Sequence, residues 1–203
     1  MTMTDDQALA VLRLIFENRS LKDTPRKGWL TAGVSLAEVE TVAEHSHETA
    51  VIAFVLAALE GGDPYRAAGI AVLHDMQETR TTDFDYVVRQ YVTKASDEAV
   101  AADQVEGVPS PVAEALLGVV AEHSGGSTLE AQCAIDADRL SCLVQGVWYR
   151  RQGHRDAQEL IDNMARAVKT PSGKVLAEAA LRNGDRAVAW WKLITAKSAA
   201  AIL

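Results

Sequence analysis

Apolar residues recur along this chain mainly at intervals of three and four, the period of an amphipathic helix. Leu9, Leu12, Ile15 and Phe16 make the first such stripe and predict a first helix. The pattern breaks from Ser20 to Gly33 at Pro25, Gly28 and Gly33, which predicts a loop. Ser35 and Glu38 have the spacing of a capping box, predicting a helix that runs to Leu59 and stops at Gly61-Gly62. Asp63 as N-cap and Pro64 at the first helical position restart the chain in a helix that carries through to about Glu78. Thr79 to Asp83 reads as a short connection, followed by a helical stretch around Phe84 to Val92. Helices are also expected from Ser96 to about Glu106, and from Ser110-Pro111 to the loop Ser124-Gly125-Gly126. Ser127 and Glu130 make a second capping box, for a helix running towards Arg151. Two more helices fit Asp156 to Val168 and Ser172 to Leu181. After an expected break at Asn183-Gly184, Asp185 caps a last helix containing Trp190 and Trp191. The alternation of strands, internal repeats and long linkers are absent from the sequence. The pattern predicts an all-α fold, a single-domain helical bundle over residues 1–203.

Composition narrows the function classes. With 203 residues, 48% hydrophobic and 24% charged, the chain can bury one sizeable core without demanding a second domain. A formal charge of −8 and a pI near 5.1 argue against a protein that coats nucleic acid or anionic membrane. A small anionic substrate remains compatible, provided that local cations or a metal hold it. Met1 to Gln7 is polar and acidic and lacks the pattern of a secretory signal. The longest apolar run, Ala50 to Leu59, is far short of a bilayer span. Cys133 and Cys142 lie within one expected helix without metal-type spacing, and read as buried, reduced thiols of a cytoplasmic protein. The apolar, Ala-rich stretch 196–203 reads either as a contact with a partner subunit or as a frayed end.

Candidate chemistry gathers around a few polar residues on apolar faces. His45 lies on the stripe His45, Thr49, Ile52, Leu56, Leu59, the core-facing side of its helix, where an unpaired imidazole is costly. Taken alone, it reads as a histidine satisfied by a buried hydrogen bond; His47 faces away. His74 and Asp75 are adjacent, and neighbours on one helix point about 100° apart. They converge on one ion only if that ion sits in a cleft beside the helix. Ala68, Ala71, Val72 and Asp75 form a stripe that puts Asp75 at the edge of the packed face, with no Lys or Arg within one turn upstream. A buried carboxylate there needs a cation, and a metal supplies it. Glu78 shares a neighbourhood with both members of the pair, and Asp83 follows the helix end in reach of the same cleft. Downstream, Asp136 and Asp138 fall on nearly opposite faces of one helix, and periodicity does not choose between them. Imidazole and carboxylate ligands suit Mn, Fe, Co, Ni or Zn. Such an ion makes bound water nucleophilic near neutral pH and offsets charge on a phosphoryl group. Glu78 is the best candidate to align or deprotonate that water.

Four segments, Arg26-Lys27-Gly28-Trp29, Val42-Ala43-Glu44-His45-Ser46, Leu73-His74-Asp75 with Glu78 and Asp83, and Asp136-Ala137-Asp138-Arg139-Leu140, now take on a joint meaning. Their order resembles the HD-domain phosphohydrolases, and in closer detail the 5'-deoxynucleotidase (YfbR-like) branch. The resemblance spans roughly 26–140, and the helices over 156–203 match only in character. It implies a helical fold of the HD-domain type with one divalent transition metal held by His45, His74, Asp75 and Asp138. It also implies that Glu78 and Asp83 position water and the reacting phosphate. The first segment would meet the nucleotide, with Arg26 at the phosphate or sugar and Trp29 stacking on or shaping the nucleoside site. The family usually has a small residue and Gly before the second aspartate, whereas this chain has Arg80-Thr81-Thr82-Asp83. Arg80 reads either as a contact to an extra anionic group or as a solvated side chain. Glu122-His123 offers a contact near the site, although an ordinary structural role is the preferred reading.

The expected activity is removal of the 5'-phosphate of a (deoxy)ribonucleoside monophosphate by metal-activated water, in a cytoplasmic homodimer. The alternatives are an HD hydrolase of another phosphate ester (a nucleoside triphosphate, a cyclic nucleotide or a biosynthetic nucleotide analogue) and a non-catalytic module whose metal only staples helices. Neither nucleic acid nor membrane is an expected partner.

Overall fold

Residues 3–200 are described by the computed structural model, and their regular structure is helical apart from one antiparallel bridge between Pro25 and Thr41. Helix α1 (Asp5–Arg19) starts under a reciprocal capping box between Thr4 and Gln7. A 3₁₀ turn at Ser20–Asp23 and the short α2 (Lys27–Thr31) follow. The long α3 (Val42–Glu60) begins later than Ser35. Ser35 and Glu38 close only a turn, and the working capping box is Thr41 with Glu44. Gly61, at φ +81°, ends α3 in the left-handed conformation that favours glycine.

Helix α4 (Pro64–Leu73) is capped as expected, with Asp63 accepting from the backbone N–H groups of Tyr65 and Arg66. It ends at Leu73 rather than near Glu78; a turn over 74–77 intervenes before α5 (Glu78–Thr81). The expected helix over Phe84 to Val92 is reduced to a 3₁₀ turn at Val88–Gln90. Asp85 holds that segment by accepting from the Thr31 hydroxyl and from Val88 N–H, anchoring it to α2 instead of letting it wind.

Helices α6 (Asp97–Gln104) and α7 (Ser110–Gly125) fall where the sequence pattern puts them. Thr128, not Ser127, caps α8 (Leu129–Gln152), and Glu130 instead reaches across to accept from the Asp63 N–H at 2.8 Å. After α9 (Ala157–Ala167), α10 (Pro171–Val188) runs straight through Asn183-Gly184. Gly184 is needed for close approach rather than for a turn, since a Cβ there would lie 2.7 Å from Val147 Cγ1. Asp185 therefore sits inside α10 and caps nothing. Helix α11 (Trp191–Ala200) closes the described chain, and the apolar stretch 196–203 lies outside the residues whose side chains are described.

Helix α8 is the centre of the bundle, packed on α3, α4, α9 and α10, and α3 packs in turn on α4. Ala53, Leu56 and Ala57 of α3 meet Ala67, Ile70 and Ala71 of α4 and Ala134, Ala137 and Leu140 of α8. The many alanines let the axes approach closely, which brings polar side chains at the same level into contact. Among the described residues α3 has the length and composition of a membrane-crossing helix, yet it buries His45, Ser46 and Thr49 within the bundle. A second core joins Leu14 of α1 to Met76, Ala101, Val105, Leu116 and Val120. The α1 stripe Leu9, Leu12, Ile15, Phe16 lies on the opposite side, exposed.

Candidate metal centre and its cavity

The first turn of α3, the turn after α4 and the middle of α8 deliver four side chains to one point. His45 Nε2 lies 3.1 Å from Asp138 Oδ1 and 3.7 Å from Asp75 Oδ2. His74 Nε2 lies 3.1 Å from Asp75 Oδ2 and 3.9 Å from Asp138 Oδ1. The other nitrogen of each ring is held from behind: His45 Nδ1 by Ser141 Oγ at 3.1 Å, His74 Nδ1 by the Ala71 carbonyl at 2.6 Å. That arrangement turns both Nε2 atoms inward. Adjacent His74 and Asp75 converge because α4 has already ended; His74 is its C-cap, and Asp75 sits in the turn beyond.

This geometry suits a cation. Donors at right angles around an ion with bonds of about 2.1 Å stand roughly 3 Å apart, and opposite donors roughly 4 Å. The four separations above fall in that interval. His45, His74 and Asp138 each offer a ligand atom within 4.8 Å of the others. His74 Nε2 is buried and faces only carboxylate oxygens, Asp75 Oδ2 and Asp138 Oδ1, a donor set that suits a divalent metal. Asp136 does different work. It accepts from the N–H groups of Lys169 and Thr170 at 2.8 and 2.6 Å and from Arg139 at 2.7 Å, tying α8 to the start of α10.

Electrostatics agree with the geometry. Burial disfavours a charged His74, but Asp75 and Asp138 outweigh it and lift the imidazole pKa to about 9. Burial also opposes ionisation of Asp75, yet His74 and Arg26 hold its carboxyl well below the usual range. Glu78 is 5% exposed with Oε2 unpartnered. Burial, then Asp75 and Asp83, push its pKa up to about 9. Without a cation the cluster balances its charge with protons on His74 and Glu78, and a bound cation would favour loss of both protons.

Beside the cluster opens a cavity of about 450 Å³, the size of a small-molecule site. Arg26, Trp29, Asp75, Glu78, Asp83 and Asp138 line its inner part, and Tyr86, Arg89, Glu159 and Asn163 its outer part. Arg26 lies 3.2 Å from Asp75 and 3.5 Å from Asp83. Asp83 also accepts from the Lys27 N–H, so the loop before it is tied to α2. Trp29 is 2% exposed, donates to Glu40 at 2.8 Å and meets Tyr149 edge-on at 5.1 Å. It shapes the wall of the cavity and offers no free face for stacking.

A family model described as HD domain matches residues 18–179. The chain belongs to the HD domain family. It is 28% identical over 151 residues to the 5'-deoxynucleotidase hdd1 of Schizosaccharomyces pombe (strain 972 / ATCC 24843), covering 68% of this chain and 73% of that protein. The crystal structure of PH0347 protein from Pyrococcus horikoshii OT3 is similar at a TM-score of 0.68 and 27% identity, over 86% of this chain and 98% of the other. The cyanophage S-2L HD phosphohydrolase DatZ, in a structure bound to dA and one catalytic Zn²⁺ ion, shares the fold at a TM-score of 0.52 and 16% identity, over 85% and 95%.

Several residues of this HD domain stand where the sequence did not put them. Arg80 is exposed and outside the cavity, where its Nε and a terminal nitrogen pair with Glu17 of α1 at 2.6 and 2.9 Å. Thr82 occupies the position at which the family pattern has Gly, with φ +61° and ψ 166°, a strained conformation for a β-branched residue. His123 belongs to the surroundings of the site after all, its ring 5.5 Å from that of His74 and its Nε2 buried and unpartnered. Cys142 is only partly buried and lines the cavity, 3.4 Å from Arg26. Glu40, Glu48 and Ser141 support the site from behind and escaped notice. Glu48 follows His45, and Ser141 follows Asp138, by the three residues that share a helix face, which was the available signal.

Proposed function

We propose that this HD domain protein is a metal-dependent phosphohydrolase that removes the 5'-phosphate of (deoxy)ribonucleoside monophosphates. One observation carries the reading: Asp75 and Asp138 of the cation cluster line the same cavity as a buried carboxyl with a free oxygen and an arginine. The likeness to a 5'-deoxynucleotidase over most of both chains supports the substrate class.

His45, His74, Asp75 and Asp138 would hold one Mn, Fe, Co, Ni or Zn ion. Such an ion, when bound, supplies a Lewis acid for a phosphoryl oxygen and a water of lowered pKa. Glu78 takes the proton of the attacking water at its free Oε2 and orients that water. Arg26, now 3.2 Å from Asp75, would pair with a non-bridging phosphate oxygen. Asp83, held by the Lys27 N–H, keeps Arg26 pointed into the cavity. Trp29, backed by Tyr149, gives the nucleoside a rigid wall.

We read residues 1–203 as one HD-type domain acting as a cytoplasmic homodimer. The exposed Leu9, Leu12, Ile15 and Phe16 support the dimer, and the free cysteines support the reducing compartment. The test is phosphate release from a panel of ribo- and deoxyribonucleotides with each metal in turn. Free phosphate from monophosphates is expected; release of triphosphate or of a linear monophosphate would assign one of the other ester classes. Asp75→Ala should lose metal and activity together. Activity retained by that variant after chelation and metal add-back would refute the mechanism.

A further inference from the structure

Behind His45, on the side away from the cation cluster, runs a short chain of hydrogen bonds. Ser141 Oγ lies 3.1 Å from His45 Nδ1 and donates to Glu48 Oε2 at 2.9 Å. His45 and Ser141 are fully buried, and Glu48 is half-buried. The direction of the chain follows from proton counting. A serine hydroxyl has one proton, and an ionised carboxylate can only accept. The Ser141 proton therefore points at Glu48, so the oxygen's lone pair faces the imidazole. His45 Nδ1 then carries an N–H, and Nε2, which faces the Asp138 and Asp75 carboxylates at 3.1 and 3.7 Å, is the nitrogen left to give up its proton and offer a lone pair to a cation.

Thr49 does not compete for that lone pair. Its hydroxyl is 3.4 Å from His45 Nε2, but its proton is committed to the His45 carbonyl at 2.8 Å. The contrast with His74 is informative. The tautomer of His74 is set by a backbone carbonyl, which no side-chain replacement removes, whereas that of His45 depends on two side chains from different helices.

We propose that Glu48 and Ser141 are positioning residues that fix the tautomer and ring orientation of His45, and thereby set the affinity of the site for its divalent ion. The proposal rests on the metal reading given under Proposed function. Partners of this kind behind a metal-binding histidine are worth about 10- to 100-fold in metal affinity.

The experiment strips the protein with a chelator and titrates it with Mn²⁺ at mildly alkaline pH, reading the Kd by calorimetry. Ser141→Ala and Glu48→Gln should each weaken binding by about 10- to 100-fold. The double variant should be little worse than either single one, because the two residues act as a unit. Helical circular dichroism of the ion-free proteins reports folding. If the fully buried Ser141→Ala fails to fold, Glu48→Gln carries the test from its half-buried position. Wild-type protein that takes up no Mn²⁺ would overturn the metal reading and the relay's role with it. Wild-type binding matched by both variants would overturn the relay alone.

Discussion

Replacing Glu40 by Gln keeps an acceptor for the Trp29 indole N–H, now bonded at 2.8 Å, while removing a carboxyl that is 8% exposed. Burial, reinforced by Glu48 and Glu44 and opposed by Arg26 and the Trp29 hydrogen bond, raises the pKa of Glu40 from the ordinary 4.5 to about 7. The sign follows from where the proton sits. Between those two values the folded protein keeps a proton that the unfolded chain has released, so stability falls as pH rises through this window. Below it both states are protonated and no penalty exists; above it both are ionised and the folded state carries the full cost of a buried charge. The interval from 4.5 to about 7 corresponds to about 3 kcal/mol. Gln has no such dependence. Urea unfolding of wild type and Glu40→Gln across this range should show the variant gaining about 2–3 kcal/mol relative to wild type between about pH 4 and pH 8. A loss from the new amide N–H is the same at every pH and shifts the difference without changing its slope. Other titrating groups cancel in the difference. A difference that stays flat with pH, or that favours wild type increasingly above neutrality, would refute the reasoning. The same residue bears on function, since Trp29 walls the cavity: KM for a nucleotide should stay near wild type in Glu40→Gln. It should rise about tenfold in Glu40→Ala, which deletes the acceptor.

Three further outcomes are expected. The Arg80 hydrogen bond, opposed by burial and helped by Gln104 and Thr79, lowers the Glu17 pKa to about 2, so its stabilisation is present above the ordinary 4.5 and is lost as pH falls through the folded value. After discounting for its partial exposure, Glu17→Gln should cost about 1–2 kcal/mol at neutral pH by urea unfolding. Its kcat/KM should not change; a large loss of nucleotide hydrolysis would return Arg80 to the substrate. Thr82→Gly should raise stability by about 1 kcal/mol, because glycine adopts the observed φ without strain, and a lower melting temperature would contradict this. Glu78→Gln should lower kcat by about 100-fold or more while Mn²⁺ affinity stays within a few-fold of wild type. A comparable loss of metal binding would instead make Glu78 part of the ligand set.

How far the chain can be read without coordinates depends on where each residue's partner lies. His45 is legible because helical spacing alone puts it on a face that meets other helices. Choosing Asp138 over Asp136 needed more, because α8 is buried on several sides and both aspartates lie on apolar stripes. The start of α3 shows the same limit. Ser35 with Glu38 and Thr41 with Glu44 both satisfy the capping pattern. What decides is Tyr149, distant in sequence, whose hydroxyl donates to the Glu38 carbonyl and accepts from the Glu40 N–H, holding that segment out of a helix. No Gly or Pro announces the end of α4 at Leu73; it is ended by the imidazole of His74 turning back onto Ala71, the contact that aims its other nitrogen at the cluster. Gly184 errs the other way, since a glycine that serves close packing against Val147 looks like one that serves a turn. Local signals thus located the cluster but not the bonds behind it. Arg80 with Glu17, Trp29 with Glu40, and Ser141 with both His45 and Glu48 join residues remote in sequence; the first pair ties α5 to α1, and the others back the site. Substitutions at these supporting residues, more than at the metal-facing ones, should therefore separate affinity and stability from the chemical step.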